Sequence, residues 1–239
     1  MVCWSRVPEA QYRMKFFNAD GSSAEMCGNG IRCFAKYLVD NDLVSLNQQI
    51  PVDTDAGVLF VDVLENSDKE ALVRVDMGKP QLENASQFCI KRSSDQSTSV
   101  CTIDGREYIY VGIGNPHAVS FSSHPEKDAL RLGPSIEVHE YFPKKTNVEF
   151  VNILSPNLLE MHVWERGAGI TLACGTGACA SFVAAKCSGK INGSEAIVRL
   201  PGGDLGIVWE GPGQSIFMTG NAVNVNQVPG SHDLFNSFP

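Results

Sequence analysis

The chain lacks several features, and each absence excludes a class of protein. No apolar run approaches the roughly eighteen residues of a membrane-spanning helix, and the first residues do not form a signal peptide. No C-x-x-C pair is available for a structural zinc site, and neither a Walker-type loop nor an H-E-x-x-H sequence occurs. Positive charge is also scarce, and the net charge of −8 argues against nucleic acid or an anionic membrane as a partner. We therefore expect a cytoplasmic protein without a metal ion.

The chain is rich in cysteine instead. Its 239 residues, 43% of them hydrophobic, can form a core in one large or two small domains, and they include eight cysteines. A disulfide framework is not expected in a reducing compartment. Two of the cysteines, Cys27 and Cys174, directly precede a Gly-x-Gly sequence. We expect the other six to be small packing residues: Cys3, Cys33, Cys89, Cys101, Cys179 and Cys187.

The two cysteine turns, residues 26–30 and 173–177, both run directly into an apolar helical stretch. A thiol at a helix N-terminus faces unpaired backbone N–H groups and the positive end of the helix dipole, which should lower its pKa. The glycines let the backbone approach a bound anion closely. A single copy would indicate only a glycine-rich helix start. Two copies predict two thiols that face one carboxylate, an arrangement able to invert the neighbouring carbon without a cofactor.

A nucleotide site is an alternative interpretation of the second turn. Gly175, Gly177 and Ala180 fit the loose dinucleotide-binding pattern and follow a short apolar run. This signal is weak, because that pattern belongs to a parallel sheet and the strands predicted here are joined by short turns.

Strand and helix patterns predict an α+β fold. Alternating apolar residues and turn signals indicate antiparallel strands at 57–64, 71–76, 99–103, 108–113, 147–154, 159–165, 196–200, 205–209 and 215–219. Ile31, Phe34, Ala35 and Leu38 form one apolar helix face, and residues 178–185 are apolar nearly all round.

The order of these elements repeats along the chain. We therefore predict two pseudo-symmetric domains, each a curved, mostly antiparallel sheet around a central helix. Residues 1–78 with 219–239 would form the first domain, and residues 79–218 the second. The site would lie in the cleft where the two helix N-termini meet.

Five motifs, in this order along the chain, resemble those of the diaminopimelate epimerase family. They are Phe-Asn-Ala-Asp-Gly-Ser at 17–22, Met-Cys-Gly-Asn-Gly-Ile-Arg-Cys at 26–33, Gly-Asn-Pro-His at 114–117, Glu-Arg-Gly at 165–167 and Ala-Cys-Gly-Thr-Gly at 173–177. The proline racemase group shares the two cysteine turns. It usually has histidine where Asn29 stands, and it lacks the Glu-Arg-Gly motif.

The resemblance implies a cofactor-independent enzyme that interconverts LL-2,6-diaminopimelate and the meso form for lysine and cell-wall synthesis. Cys27 and Cys174 would be the acid–base pair, one on each face of the substrate α-carbon. Backbone donors to the α-carboxylate would come from Gly28, Asn29, Gly175 and Thr176. The ammonium and remaining carboxylate groups would be held by Asn18, Asn115, Asn147, Glu165 and Arg166.

One departure from the family leaves alternatives open. The family normally begins with a strand and a Gly-Leu-Gly-Asn-Asp-Phe turn, followed by further strands, which are absent before residue 17, and residues 1–11 match no motif that we recognise. We therefore expect an incomplete first domain and a weakly active chain. The alternatives are a proline racemase-like enzyme and an inactive member of the fold that acts as a binding protein. The expected partner is a small amino acid, and a homodimer is left open.

Overall fold

The structure is a computed structural model that describes residues 2–4, 7–17, 23–24, 27–82 and 100–225. These residues form three α-helices: α1 (Gly28–Asp40), α2 (Pro125–Glu137) and α3 (Gly175–Cys187). They also form sixteen strands: β1 (Val2–Trp4), β2 (Tyr12–Met14), β3 (Phe16–Phe17), β4 (Ser23–Ala24), β5 (Gln49–Thr54), β6 (Gly57–Asn66), β7 (Glu70–Asp76), β8 (Val100–Ile103), β9 (Arg106–Gly112), β10 (Pro116–Phe121), β11 (Asn147–Ser155), β12 (Leu158–Glu165), β13 (Gly169–Thr171), β14 (Glu195–Leu200), β15 (Gly203–Val208) and β16 (Phe217–Val223).

Within the described ranges, fourteen strands form one sheet. Its order is β1-β2-β5-β6-β7-β16-β15-β14-β12-β11-β10-β9-β8, with β13 beside β12, while β3 and β4 pair separately. Three neighbouring pairs are parallel, namely β2–β5, β10–β11 and β12–β14, and the other pairs are antiparallel. The predicted α+β class is confirmed, and each predicted strand corresponds to one of these elements. Residue 99 of the predicted strand at 99–103 lies outside the described residues.

Strand β16 joins the two halves of the sheet. It pairs with β7 on one side and with β15 on the other, so the sheets that the sequence indicated for each half are hydrogen-bonded into one. The division into residues 1–78 with 219–239 and residues 79–218 stays a prediction, and residues 226–239 lie outside the described part. No helix among the described residues is long and apolar enough to span a membrane.

The two predicted helices pack as their patterns indicated. Ile31, Phe34, Ala35 and Leu38 are all buried, and they place one face of α1 against β6, β7 and β16. Every residue from 175 to 185 is buried, so α3 is surrounded by protein and contacts β9, β10, β11 and β15. Burial of this kind fixes both helices in position, together with the turns that begin them.

Helix α2 was not predicted, since Gly133 and Pro134 lie inside it and both disfavour a helix interior. Gly133 allows the helix to approach β12, because a Cβ atom added there would lie 2.4 Å from Trp164 Cβ. Glu137, at the end of α2, accepts hydrogen bonds from Trp164 Nε1 at 2.8 Å and from the Gly167 N–H at 3.0 Å. The helix thereby holds the turn that follows β12, where the Glu-Arg-Gly motif lies.

The cysteine predictions are partly confirmed. Cys101 and Cys179 are buried and Cys187 is half-buried, as expected of packing residues. The prediction is wrong for Cys33, which is exposed because it lies off the apolar face of α1. Cys89 and the Cys3 side chain lie outside what the structure describes.

Candidate active site

The two cysteines cap their helices in the same backbone conformation. Cys27 precedes α1 with φ −135° and ψ 106°, and Cys174 precedes α3 with φ −133° and ψ 107°. In both turns the extended cap residue leads directly into a glycine that is the first residue of the helix. The sequence repeat therefore corresponds to a repeat in local structure.

The two helix starts lie against each other. A Cβ atom built on Gly28 would lie 3.4 Å from the Gly175 Cα, and one built on Gly175 would lie 3.4 Å from the Gly28 Cα. Asn29 Nδ2 also approaches the Ala173 carbonyl oxygen at 3.4 Å. Met218 of β16 fills the space beside both glycines, with its Sδ 2.8 Å from the Cβ position of Gly175. The predicted convergence of the two cysteine turns is present in the structure.

Cys27 uses one of the free N–H groups at its helix start. The Gly30 N–H donates to Cys27 Sγ at 3.3 Å. Burial raises the pKa of the Cys27 thiol, the N–H groups of Gly30 and Asn29 act against that rise, and the Glu165 carboxylate adds to it. The net direction is upward, because desolvation is the largest contribution.

Cys174 is more deeply buried and faces more negative charge. Its Sγ lies 3.5 Å from Thr176 Oγ1. Burial, followed by the carboxylates of Glu165 and Glu149, raises the pKa of this thiol well above its usual value, and the hydrogen bonds from Thr176 and the Gly177 N–H oppose the rise. The expected net lowering of the two thiol pKa values is therefore wrong. The helix-start donors contribute in the predicted direction, but desolvation outweighs them.

A buried polar group that the sequence analysis did not assign lies next to Cys174. His117 on β10 and Glu149 on β11 are both fully buried, and His117 Nδ1 lies 2.7 Å from Glu149 Oε1. His117 Nε2 lies 2.8 Å from Asn115 Oδ1, and Asn115 Nδ2 donates to Thr176 Oγ1 at 3.4 Å. His117 is the last residue of the Gly-Asn-Pro-His motif, and this position could have indicated a role in the site. Glu149 has only a weak signal, a carboxylate in an apolar strand.

The remaining predicted site residues lie at the ends of β11 and β12. Asn147 Nδ2 donates to the Pro116 carbonyl oxygen at 2.8 Å, and Asn147 Oδ1 accepts from the Arg166 N–H at 3.0 Å. Glu165 accepts a short hydrogen bond from the Thr171 hydroxyl, and the Arg166 side chain is exposed. Asn147 thus ties the turn that carries Arg166 to the start of β10. Asn18, the remaining predicted binding residue, lies outside the described residues.

The fold is shared with solved epimerases and racemases. The structure superposes on a hydroxyproline epimerase from Agrobacterium vitis with a TM-score of 0.66 and 13% identity, over 93% of this chain and 71% of that one. It superposes on a predicted epimerase from Pseudomonas aeruginosa with a TM-score of 0.60 and 13% identity, over 95% and 83% of the two chains. At this identity the likeness shows the fold, which this chain shares with these proteins.

Comparison at the level of sequence is more specific. The chain matches the diaminopimelate epimerase family profile over residues 1–83 and 109–225, and it belongs to this family. It is 47% identical over 220 residues to the diaminopimelate epimerase of Desulfitobacterium hafniense, covering 91% of this chain and 77% of the relative. It is 44% identical over 221 residues to that of Methanococcus maripaludis, covering 90% and 78%. The match includes residues 1–11, which carry none of the five family motifs.

Proposed function

We propose that this chain interconverts LL-2,6-diaminopimelate and its meso form by proton transfer between Cys27 and Cys174. The observation that carries the proposal is the contact between Gly28 and Gly175, since it brings two cysteine-capped helix starts to one place. Inversion at the α-carbon needs a base on one face and an acid on the other, and two thiols that share one proton meet this need. The substrate follows from the names of the relatives.

The harder task is to stabilise the carbanion, because its conjugate acid is far weaker than a thiol. A helix end contributes about 0.3–1 kcal/mol to the binding of a negative charge. Two helix ends therefore lower the activation barrier for proton removal only slightly. Direct hydrogen bonds to the developing enediolate contribute about 3–4 kcal/mol per donor in a dry site. The N–H groups of Gly28, Asn29, Gly175 and Thr176 lie in the first turns, where α-helices leave their donors unused.

The groups proposed to hold the rest of the substrate surround these helix starts. Asn29 Oδ1 is buried and has no hydrogen-bond partner among the described residues, so a donor from the substrate would satisfy it. Glu165 provides an acceptor for an ammonium group, and the exposed Arg166 provides donors for a carboxylate. Asn115 and Asn147 would orient these groups, and we include Asn18 in the binding set on its motif.

Incubation of the purified chain with LL-diaminopimelate in deuterium oxide tests the proposal. We expect meso-diaminopimelate to form with one deuterium at the inverted carbon, because the proton comes from a thiol that exchanges with solvent. L-proline under the same conditions provides the control, and it should neither exchange nor invert. Inversion of proline instead would support the proline racemase-like alternative. Binding of diaminopimelate without exchange would support an inactive binding protein.

The pH dependence of kcat/KM provides a separate test of the two-thiol pair. Burial raises the pKa of both thiols, so the substrate-free enzyme carries few thiolates near neutral pH. The reactive form has one thiolate, and a higher pH produces more of it. We therefore expect kcat/KM to rise by about tenfold per pH unit through the neutral range and to fall once both thiols ionise. A flat profile between about pH 6 and about pH 8 would show that the thiolate forms at a lower pH than the burial of these thiols implies.

We include a cytoplasmic location in the proposed function. We expect neither nucleic acid nor an anionic membrane as a partner, because the net charge is −8. A homodimer is compatible with the proposal, and size-exclusion chromatography with light scattering would measure the assembly state.

A further inference from the structure

A continuous chain of polar contacts leads from a fully buried carboxyl group to the sulfur of Cys174. Glu149 Oε1 lies 2.7 Å from His117 Nδ1, and His117 Nε2 lies 2.8 Å from Asn115 Oδ1. Asn115 Nδ2 lies 3.4 Å from Thr176 Oγ1, which in turn lies 3.5 Å from Cys174 Sγ. The residues come from β11, the β9–β10 connection, β10 and the first turn of α3, and α3 is the helix that Cys174 caps.

The chain of contacts has a direction. Because Asn115 presents its carbonyl oxygen to the imidazole, His117 must carry a proton on Nε2 in order to donate. Asn115 then donates through its NH2 group, which makes the Thr176 oxygen an acceptor from that side. The Thr176 hydroxyl proton is left free to point at Cys174 Sγ. Every step therefore sends a donor toward the sulfur.

Glu149 determines this direction at its origin. As a carboxylic acid, Glu149 donates its proton to His117 Nδ1, and the neutral ring then carries its own proton on Nε2. Burial raises the pKa of the Glu149 carboxyl group, and His117 opposes that rise. A side chain at position 149 that could not hydrogen-bond to His117 Nδ1 would let the imidazole rotate or change tautomer. The Asn115 amide could then turn over, with its NH2 group toward His117.

We propose that Glu149 is a positioning residue that acts through His117, Asn115 and Thr176 to aim the Thr176 hydroxyl at Cys174 Sγ. Its effect on catalysis rests on the proposed function, since Cys174 accepts a proton in one direction of the reaction and donates one in the other. Glu149 does not contact the reacting carbon in this scheme. It fixes the orientation of the Asn115 amide, with the oxygen toward His117 and the NH2 group toward Thr176. The Thr176 hydroxyl is thereby kept as a donor to the Cys174 thiolate.

A second route from Glu149 to Cys174 is direct repulsion. A Cβ atom built on Gly177 would lie 2.8 Å from Glu149 Oε1 and 3.2 Å from Cys174 Sγ, so the carboxyl group and the sulfur flank the same glycine. Glu165 at the end of β12 is the other carboxylate that acts on this thiol, and Cys27 caps the helix start opposite. The two routes predict opposite signs, because loss of a repelling charge lowers the pKa of Cys174, whereas loss of the hydroxyl donor raises it.

Titration of the Cys174 thiol measures the direction in which its pKa changes, and it does not require turnover. The thiolate absorbs near 240 nm, and the difference between each protein and its Cys174→Ser partner isolates this sulfur. In Glu149→Leu we expect the Cys174 midpoint to rise by about one pH unit, since a hydrogen bond to a charged group is lost. Thr176→Val, which keeps the backbone donor, should produce a similar rise. The Cys27 midpoint, obtained in the same way with Cys27→Ser, should stay unchanged.

Conservative variants provide the matched controls. Gln at position 149 can donate its amide N–H to His117 Nδ1, so Glu149→Gln should titrate as the parent does, and Thr176→Ser should too. In steady-state kinetics, kcat should be about tenfold lower in Glu149→Leu and Thr176→Val, while KM changes little. A midpoint that falls in both Glu149 variants would show direct repulsion and overturn the proposal. An unchanged midpoint in Thr176→Val would overturn it even if Glu149→Leu did not fold.

Discussion

Alanine in place of either Cys27 or Cys174 should lower epimerisation by about a thousandfold or more, because each removes the proton carrier that we propose for one face of the α-carbon. The two variants should differ in the stereoisomer on which they keep a partial reaction. The enzyme that keeps one thiol can still remove a proton from the stereoisomer that presents its hydrogen to that thiol, and return a deuteron to the same face. In deuterium oxide, each variant should therefore slowly label a different stereoisomer without inversion.

The exposed Cys33 supplies the matched control for these variants. It lies on α1, six positions after Cys27, and its side chain faces solvent. Cys33→Ser should leave kcat/KM within about twofold, since surface substitutions rarely disturb a fold. Equal losses in Cys33→Ser and Cys27→Ala would count against a site built on the two capping thiols. Labelling of the same stereoisomer by both alanine variants would count against thiols on opposite faces.

Valine in place of Gly175 should lower kcat/KM by at least about a hundredfold, because it separates the two helix starts. The first carbon of the new side chain would already lie 2.8 Å from Met218 Sδ, and it points at the Gly28 backbone. Met218 is fully buried, so it has little room to move away. The backbone donors of the two turns would then no longer converge on one carboxylate. Steady-state kinetics with a check of folding by circular dichroism measures this effect.

Gly206 in β15 is the matched position for a valine control. The nearest atom to a Cβ built there is Thr219 Cβ at 3.8 Å, an ordinary contact in a strand that tolerates branched residues. Gly206→Val should retain activity within about threefold. Addition of Met218→Ala to Gly175→Val should recover part of the lost rate, since it removes the sulfur that valine meets. Full activity in Gly175→Val alone would refute the requirement for close contact between the helix starts.

Local pattern predicted most of the fold and the centre of the site. The strands joined by short turns, the apolar face of α1 and the all-apolar α3 depend on residues near one another in sequence, and the structure confirms them. Helix α2 was missed because tertiary packing overrides propensity there. Gly133, a poor helix former, is needed where the helix meets Trp164. The pairing of β7 with β16 joins residues far apart in the chain, and local pattern does not encode it.

The site shows the same division. The cysteine turns were recognisable because each carries its own sequence signal, and the structure brings them together. The environment that determines the thiol pKa values was not predictable, since burial depends on everything packed around the sulfur. Glu149 is the clearest case. A single acidic residue within a strand becomes meaningful only when its partner His117 is seen beside it.

The two caps share one backbone conformation but differ in what lies behind them. The Gly30 N–H donates to the Cys27 sulfur, whereas the Cys174 sulfur lies beside the Thr176 hydroxyl. The carboxylates of Glu165 and Glu149 also raise the pKa of Cys174. Under the proposed mechanism, the free enzyme with a single thiolate therefore exists in two forms of unequal population, which differ in the cysteine that carries the proton, and each form accepts one stereoisomer. One turnover would leave the protein in the form opposite to the one that bound substrate. The protonation state of the enzyme would thus record which stereoisomer it last released. The forward and reverse reactions would then have different kcat values, while the ratio of their kcat/KM values equals the equilibrium constant.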